Sequence, residues 1–173
     1  MRAHTMSPHT PGLPTLFLTC GLPGSGKTTV ARHLEQEHAA LRLTADEWLH
    51  ELYPGITTSD AEEGTVRRLV EDLQWNLALR ALQLGCNVVL DWGVWAREER
   101  DFYRTGAHQI GARVVLCRLD PPLEELWARI ERRNSDLPTG TFHIPKDSLL
   151  RWSQRFERPT PDELSLYDAW LSG

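Results

Sequence analysis

Leu16-Phe17-Leu18-Thr19-Cys20-Gly21-Leu22-Pro23-Gly24-Ser25-Gly26-Lys27-Thr28-Thr29 decides the fold. Its first five residues are a short apolar run ended by a glycine, the pattern of a strand buried on both faces of a parallel sheet. Gly21 to Thr28 then fits G-x-x-x-x-G-K-[ST] at every position, and a helical pattern runs from Lys27 to about Glu37. The glycines let the backbone curl so that successive N–H groups point inward, where they cradle phosphate oxygens. The N-terminus of the following helix adds partial positive charge. Lys27 is placed to reach the β- and γ-phosphates of a nucleotide, and the Thr28 hydroxyl to hold Mg²⁺. Arg outnumbers Lys 17 to 2 in this chain, so a Lys at this position stands out.

Working outward, the elements alternate. Leu41–Thr44 reads as a second strand, with a short helix over Asp46–Leu52 after it. Thr65–Leu84 reads as a long helix, with Val66, Leu69, Val70, Leu73, Leu77 and Leu84 on one side and Gly85 just past its end. Asn87–Leu90 and Val114–Cys117 read as further strands, separated by a helix over Arg97–Ile110. Asp120-Pro121-Pro122 reads as the start of another helix, with Asp120 as N-cap. Asn134–Pro145 is a polar loop, Asp147–Phe156 a helix, and Pro159–Gly173 has no clear pattern. Alternating strands and helices predict an α/β fold: a P-loop NTPase fold with a parallel β-sheet sandwiched by helices and a small lid over about 129–146. Residues 15–173 form the one domain, preceded by a flexible tail over 1–14, within which Met6 is a possible start.

At 173 residues the chain suits a single domain with a core of its own. A net charge of -5 and 40% hydrophobic residues exclude a wholly disordered chain and a strongly basic nucleic-acid clamp. Cys20, Cys86 and Cys117 are odd in number and lack metal-ligand spacing. They read as reduced and buried, in a cytoplasmic protein. No apolar run approaches a membrane span, and residues 1–14 lack the apolar stretch of a signal peptide.

Position selects the candidate groups. Asp46 follows the second strand, and in a parallel sheet the C-terminal strand ends face the ligand crevice. A carboxylate there can take the proton of an attacking hydroxyl, or it can cap the short helix. Asp91 ends the third strand, where a carboxylate binds Mg²⁺ or serves as a turn residue. Trp92 and Trp95 either wall an acceptor pocket or pack in the core.

The pieces GLPGSGKTT at 21–29, LRLTADEW at 41–48, NVVLDWGVWAREER at 87–100, VVLCRLDPPLEELWARIERRN at 114–134 and FERPTPDE at 156–163 carry a resemblance. The chain resembles the small P-loop kinases related to polynucleotide 5′-hydroxyl kinases, zeta toxins and chloramphenicol phosphotransferase. The resemblance implies ATP as phosphate donor with Mg²⁺, bound by residues 21–29. It implies Asp46 as the base, and Arg129, Arg132 or Arg133 as the lid arginine that meets the phosphates. It also implies that the segment holding Arg158 and Pro159 borders the adenine. The expected partner is a small molecule bearing a hydroxyl. Polynucleotide kinases tend to carry an Arg three residues after the catalytic Asp, and this chain has Leu49 there. Together with the acidic balance, that disfavours a nucleic-acid acceptor. A nucleotide-sugar acceptor, as for zeta toxins, and a nucleotide-binding switch ATPase are the other readings. The oligomeric state is not set by the sequence.

Overall fold

The computed structural model describes residues 2–5, 12–53, 61–136 and 141–173. Its elements are β1 (Arg2–Thr5), β2 (Thr15–Cys20), α1 (Lys27–Glu37), β3 (Leu41–Leu43), α2 (Ala45–Leu52), α3 (Ala61–Gln83), β4 (Val88–Leu90), α4 (Arg97–Gln109), β5 (Arg113–Arg118), α5 (Leu123–Ser135), α6 (Lys146–Arg155), α7 (Pro161–Leu164) and β6 (Ala169–Ser172). The sheet order is β1-β6-β5-β2-β4-β3. Five strands run parallel, and β1 pairs antiparallel to β6 along the outer edge. The chain leaves β2 through α1 and enters β3, passing over the slot that β4 fills later. The strand order therefore switches direction at β2, and in such sheets the crevice at that switch is where ligands bind.

β2 is buried along its whole length because it sits in the middle of the sheet and both its faces are covered. Leu16, Leu18 and Cys20 face one way and pack with Val114, Leu116, Val88, Leu90 and residues from α2, α3, α5 and α6. Phe17 faces the other way, against Ala31 and Leu34 of α1. Thr19 shares that central position, and its hydroxyl donates to the carbonyls of Leu90 and Trp92, at 3.0 and 2.7 Å. These bonds tie the end of β2 to the end of β4.

Several expectations are corrected. Leu69, Leu73, Leu77 and Leu84 are 40–82% exposed. Val70 is buried as expected, and it shares the buried stripe of α3 with Gln74, Trp75, Ala78, Ala81 and Leu82. Two alanines let the helix approach its neighbours closely, and the Gln74 amide oxygen accepts from Trp92 Nε1 at 2.9 Å. Asp120 does not cap α5; the N-cap is Pro122, and Asp120 accepts from Arg158 Nε at 3.0 Å. Cys86 is exposed, whereas Cys20 and Cys117 are buried. The stretch after Pro159 supplies α7 and the fifth parallel strand. Arg2–Thr5, expected in the flexible tail, have strand backbone pairing from Arg2↔Ser172 to Thr5↔Ala169. Part of the expected lid, residues 137–140, lies outside the described residues.

Among the described residues, one ion pair lies wholly inside. Arg100 of α4 and Glu163 of α7 are 0% and 1% exposed. They are joined by Nε–Oε1 at 2.6 Å and Nη2–Oε2 at 2.9 Å. Arg100 Nη1 also donates to the carbonyls of Val94 and Trp95. This buried guanidinium thus holds the loop after β4 against the C-terminal segment.

Candidate active site

The loop between β2 and α1 has the backbone that its glycines predict. Gly24 and Gly26 have φ of 81° and 96°, the left-handed region that suits glycine. Space is also exhausted around the loop. A Cβ on Gly21 would lie 2.3 Å from the Leu119 carbonyl oxygen, and one on Gly24 3.0 Å from both Ile130 Cγ1 and the Leu126 carbonyl.

Above the loop opens a cleft of about 960 Å³. Lys27, the first residue of α1, lines it and donates from Nζ to the Leu22 carbonyl at 2.8 Å. Burial pushes the ammonium down to a pKa of about 8, against the pull of Asp91 and Asp46. Asp91, just past β4, is buried beside it. Desolvation raises its carboxyl, opposed by the Thr28 hydrogen bond and by the charges of Lys27 and Arg42. Thr28 Oγ1 donates to Asp91 Oδ1 at 3.3 Å. A hydroxyl and a buried carboxylate oxygen this close are hard oxygen donors, and they fit Mg²⁺, which keeps several waters and takes few protein ligands. No cluster of three or more His, Cys, Asp and Glu that could hold a metal occurs among the described residues.

Asp46 is the second residue of α2, and its position is set by the end of β3. It is not the helix cap; that is Thr44. Its carboxylate lines the cleft and accepts from Arg67 Nη2 of α3 at 2.7 Å. Arg67 also stands 3.8 Å from Glu71 Oε1. Burial pushes Glu71 up to about 7, with Arg67 pulling the other way.

The three arginines of α5 part company. Arg129 Nη1 donates to the carbonyls of Gly24 and Ser25, at 3.3 and 3.4 Å, and Nη2 pairs with Glu125. Arg133 is half-buried and donates from Nη2 to the Phe142 carbonyl at 3.3 Å. Its Nε is buried without a hydrogen-bond partner among the described residues, and desolvation lowers its pKa. Arg132 lines the cleft and is exposed. Trp95 is half-buried, with Nε1 donating to the Gly21 carbonyl at 3.2 Å and its ring 5.7 Å from that of Trp152. Trp92 only borders the cleft. It is 4% exposed, bonded to Gln74 and set edge-on to Tyr103, so packing in the core is its main work. Arg158 and Pro159 are not among the cleft-lining residues; Arg158 binds Asp120 and lies over the Phe156 ring. Leu49 is fully buried and presents nothing to the cleft.

Sequence reasoning missed Arg42, Thr44, Arg67 and Glu71. Arg42 meets Asp91, and Arg67 meets Asp46, through the fold rather than through a motif. An Arg inside the short strand Leu41–Leu43 was one available signal, because a charge placed in a strand beside the crevice needs a counterion. The i,i+4 spacing of Arg67 and Glu71 on the helix read over Thr65–Leu84 was another.

The arrangement gathers the glycine loop, the Thr28–Asp91 oxygen pair, the Asp46 carboxylate and several arginines around one cleft. The AAA domain family profile matches residues 16–159. The chain belongs to this AAA domain family. No curated protein sequence matches it. Among solved structures, this AAA domain is similar to Kti12 of Chaetomium thermophilum, solved in complex with ADP-AlF3. The identity is 18%, 91% of this chain and 88% of that one are covered, and the TM-score is 0.69. It is similar to a chain of the Pnkp1/Rnl/Hen1 RNA repair complex at 24% identity and TM-score 0.68. That match covers 84% of this chain and 45% of the other, so the AAA domain spans under half its length. A gluconokinase from Sinorhizobium meliloti shares 20% identity over 92% of this chain and 82% of its own, with TM-score 0.57. These likenesses show the fold alone, an α/β P-loop fold. Among the described residues no helix is long and apolar enough to cross a membrane.

Proposed function

We propose that this AAA domain is an ATP-dependent phosphotransferase that moves the γ-phosphate to a hydroxyl of a small molecule. The observation that carries the reading is the Asp46 carboxylate, which opens onto the same cleft as Lys27 and the phosphate loop. The nucleotide phosphates take the loop amides. Lys27 Nζ leaves the Leu22 carbonyl for phosphate oxygens, whose charge restores its own. Arg129, or its neighbour Arg133, turns onto the transferring phosphoryl group and offsets its charge. Asp46 accepts the hydroxyl proton as the acceptor oxygen attacks phosphorus and the bond to the β-phosphate oxygen breaks, releasing ADP. Magnesium held by Thr28 and Asp91 would offset charge between the β- and γ-phosphates. Trp95 and Trp152 give the acceptor side an aromatic wall, suited to a sugar or a planar group.

A polynucleotide acceptor is disfavoured, because Leu49 is buried where polynucleotide kinases tend to carry an Arg. The Kti12 likeness, which covers most of both chains, supports a second reading as a nucleotide-dependent switch ATPase. Incubation with γ-labelled ATP and Mg²⁺ separates the readings. The protein is offered a pool of sugars, nucleosides, nucleotide sugars, aminoglycosides and phenicols, then a 5′-hydroxyl oligonucleotide. Label on a small molecule is the expected result. Label on the oligonucleotide, or free phosphate alone, overturns it.

A further inference from the structure

Arg42 sits on β3 with its side chain only 12% exposed, and four groups meet it. Nε donates to Glu35 of α1 at 3.1 Å, and Nη2 to Glu47 of α2 at 2.9 Å. Nη1 donates to the Thr44 hydroxyl and, at 3.3 Å, to Asp91 Oδ2. The Thr44 hydroxyl in turn donates to the same Oδ2 at 3.4 Å. Thr44 is the N-cap of α2, yet its side chain makes no capping bond. A cap forgone costs a helix about 1 kcal/mol, so the hydroxyl has been drawn to Asp91 at the helix's expense. The two oxygens of Asp91 are thus treated differently. Oδ2 receives a guanidinium and a hydroxyl from the β3 side, while Oδ1 accepts from Thr28 on the phosphate-loop side.

We propose that Arg42 is a positioning residue that, with Thr44, occupies Asp91 Oδ2, turns Oδ1 toward Thr28, and keeps Mg²⁺ from binding until a nucleotide brings its phosphates. This rests on the metal role proposed for Asp91. A fixed positive charge beside the carboxylate repels a divalent cation that arrives alone. The polyphosphate outweighs that repulsion, so metal and nucleotide bind as a coupled pair. The paired carboxylates Glu35 and Glu47 hold the guanidinium in place, so it cannot simply swing aside.

The test is isothermal titration with MgCl2 alone, with ADP alone and with both, on the wild type and on Arg42→Gln. Wild type should bind Mg²⁺ alone only weakly and ADP more tightly when Mg²⁺ is present. Arg42→Gln should bind Mg²⁺ alone about tenfold more tightly and show a correspondingly smaller effect of Mg²⁺ on ADP. The gain should vanish in Arg42→Gln/Asp91→Asn, which leaves Glu35 and Glu47 in place; a gain that persists there overturns the proposal. So does an Arg42→Gln protein that binds Mg²⁺ as weakly as wild type while wild type still couples Mg²⁺ to ADP. If wild type shows no coupling at all, the metal role of Asp91 itself fails. Should Arg42→Gln fail to fold, Arg42→Gln/Glu47→Gln removes one of the two glutamates left without their guanidinium, and the same gain in Mg²⁺ affinity is required of it.

Discussion

Replacing Arg100 with Met keeps much of the side-chain volume and removes the charge. Glu163, 1% exposed, then has no counterion, and two charge-assisted bonds of 2.6 and 2.9 Å are lost. The carbonyls freed at Val94 and Trp95 retain other donors, Cys20 Sγ and the Glu157 amide, so the lone carboxylate dominates the penalty. Removing one partner of a buried pair costs about 3–5 kcal/mol. Set against about 5–15 kcal/mol for a whole domain, that is a large share. For a chain of this length it lowers Tm by about 10 °C. Arg100→Met/Glu163→Leu removes both charges and should recover most of the loss. Urea denaturation followed by tryptophan fluorescence at pH 7.5 measures all three proteins. A single variant within about 1 kcal/mol of wild type, or a double variant no better than the single, would refute the reasoning.

Asp46→Asn should lower phosphoryl transfer about 10²–10⁴-fold in a labelled-ATP assay while calorimetric ADP affinity stays within about a factor of two; retained transfer removes Asp46 as the base. Nucleotide binding should take up protons at Lys27. Its pKa of about 8 in the free protein rises when phosphate arrives, so uptake is near zero at pH 6.5 and about half a proton at pH 8. Titrations in buffers of different ionisation enthalpy measure this, and equal uptake at both pH values contradicts it. Glu71 keeps its proton up to about pH 7 in the folded chain, whereas the unfolded chain releases it near the usual carboxylate value. Folded stability therefore falls as pH rises through that window. Glu71→Gln should raise stability by about 2 kcal/mol at pH 8 and change it little at pH 4.5, measured by thermal melts at both.

The phosphate loop was legible because its chemistry is local: three glycines, a Lys and a Thr at fixed spacing between a strand and a helix. The helix over Lys27–Glu37 and the parallel strands β2, β3, β4 and β5 were legible for the same reason, since apolar runs and punctuation lie within a few residues. β6 was not. Ala169–Ser172 is too short and mixed to announce a strand, and it is one because β5 offers it a parallel edge. The leucines of α3 misled because counting large apolar residues overlooks alanines, and it was Ala78 and Ala81 that faced inward. Asp46 and Asp91 could be placed by their strand ends. Arg67, which meets Asp46, and Arg42, which meets Asp91, join across 21 and 49 residues of chain, a distance that no local pattern spans.

The phosphate loop is braced by side chains of its own chain. Lys27 fastens it at the Leu22 carbonyl, and Arg129 at those of Gly24 and Ser25. On the proposed function, capturing a nucleotide would be a relay in which side chains trade carbonyl partners for phosphoryl oxygens over a scaffold that keeps its shape. Little chain entropy is surrendered on capture, and association can run at the pace of diffusional encounter rather than wait on a loop to fold.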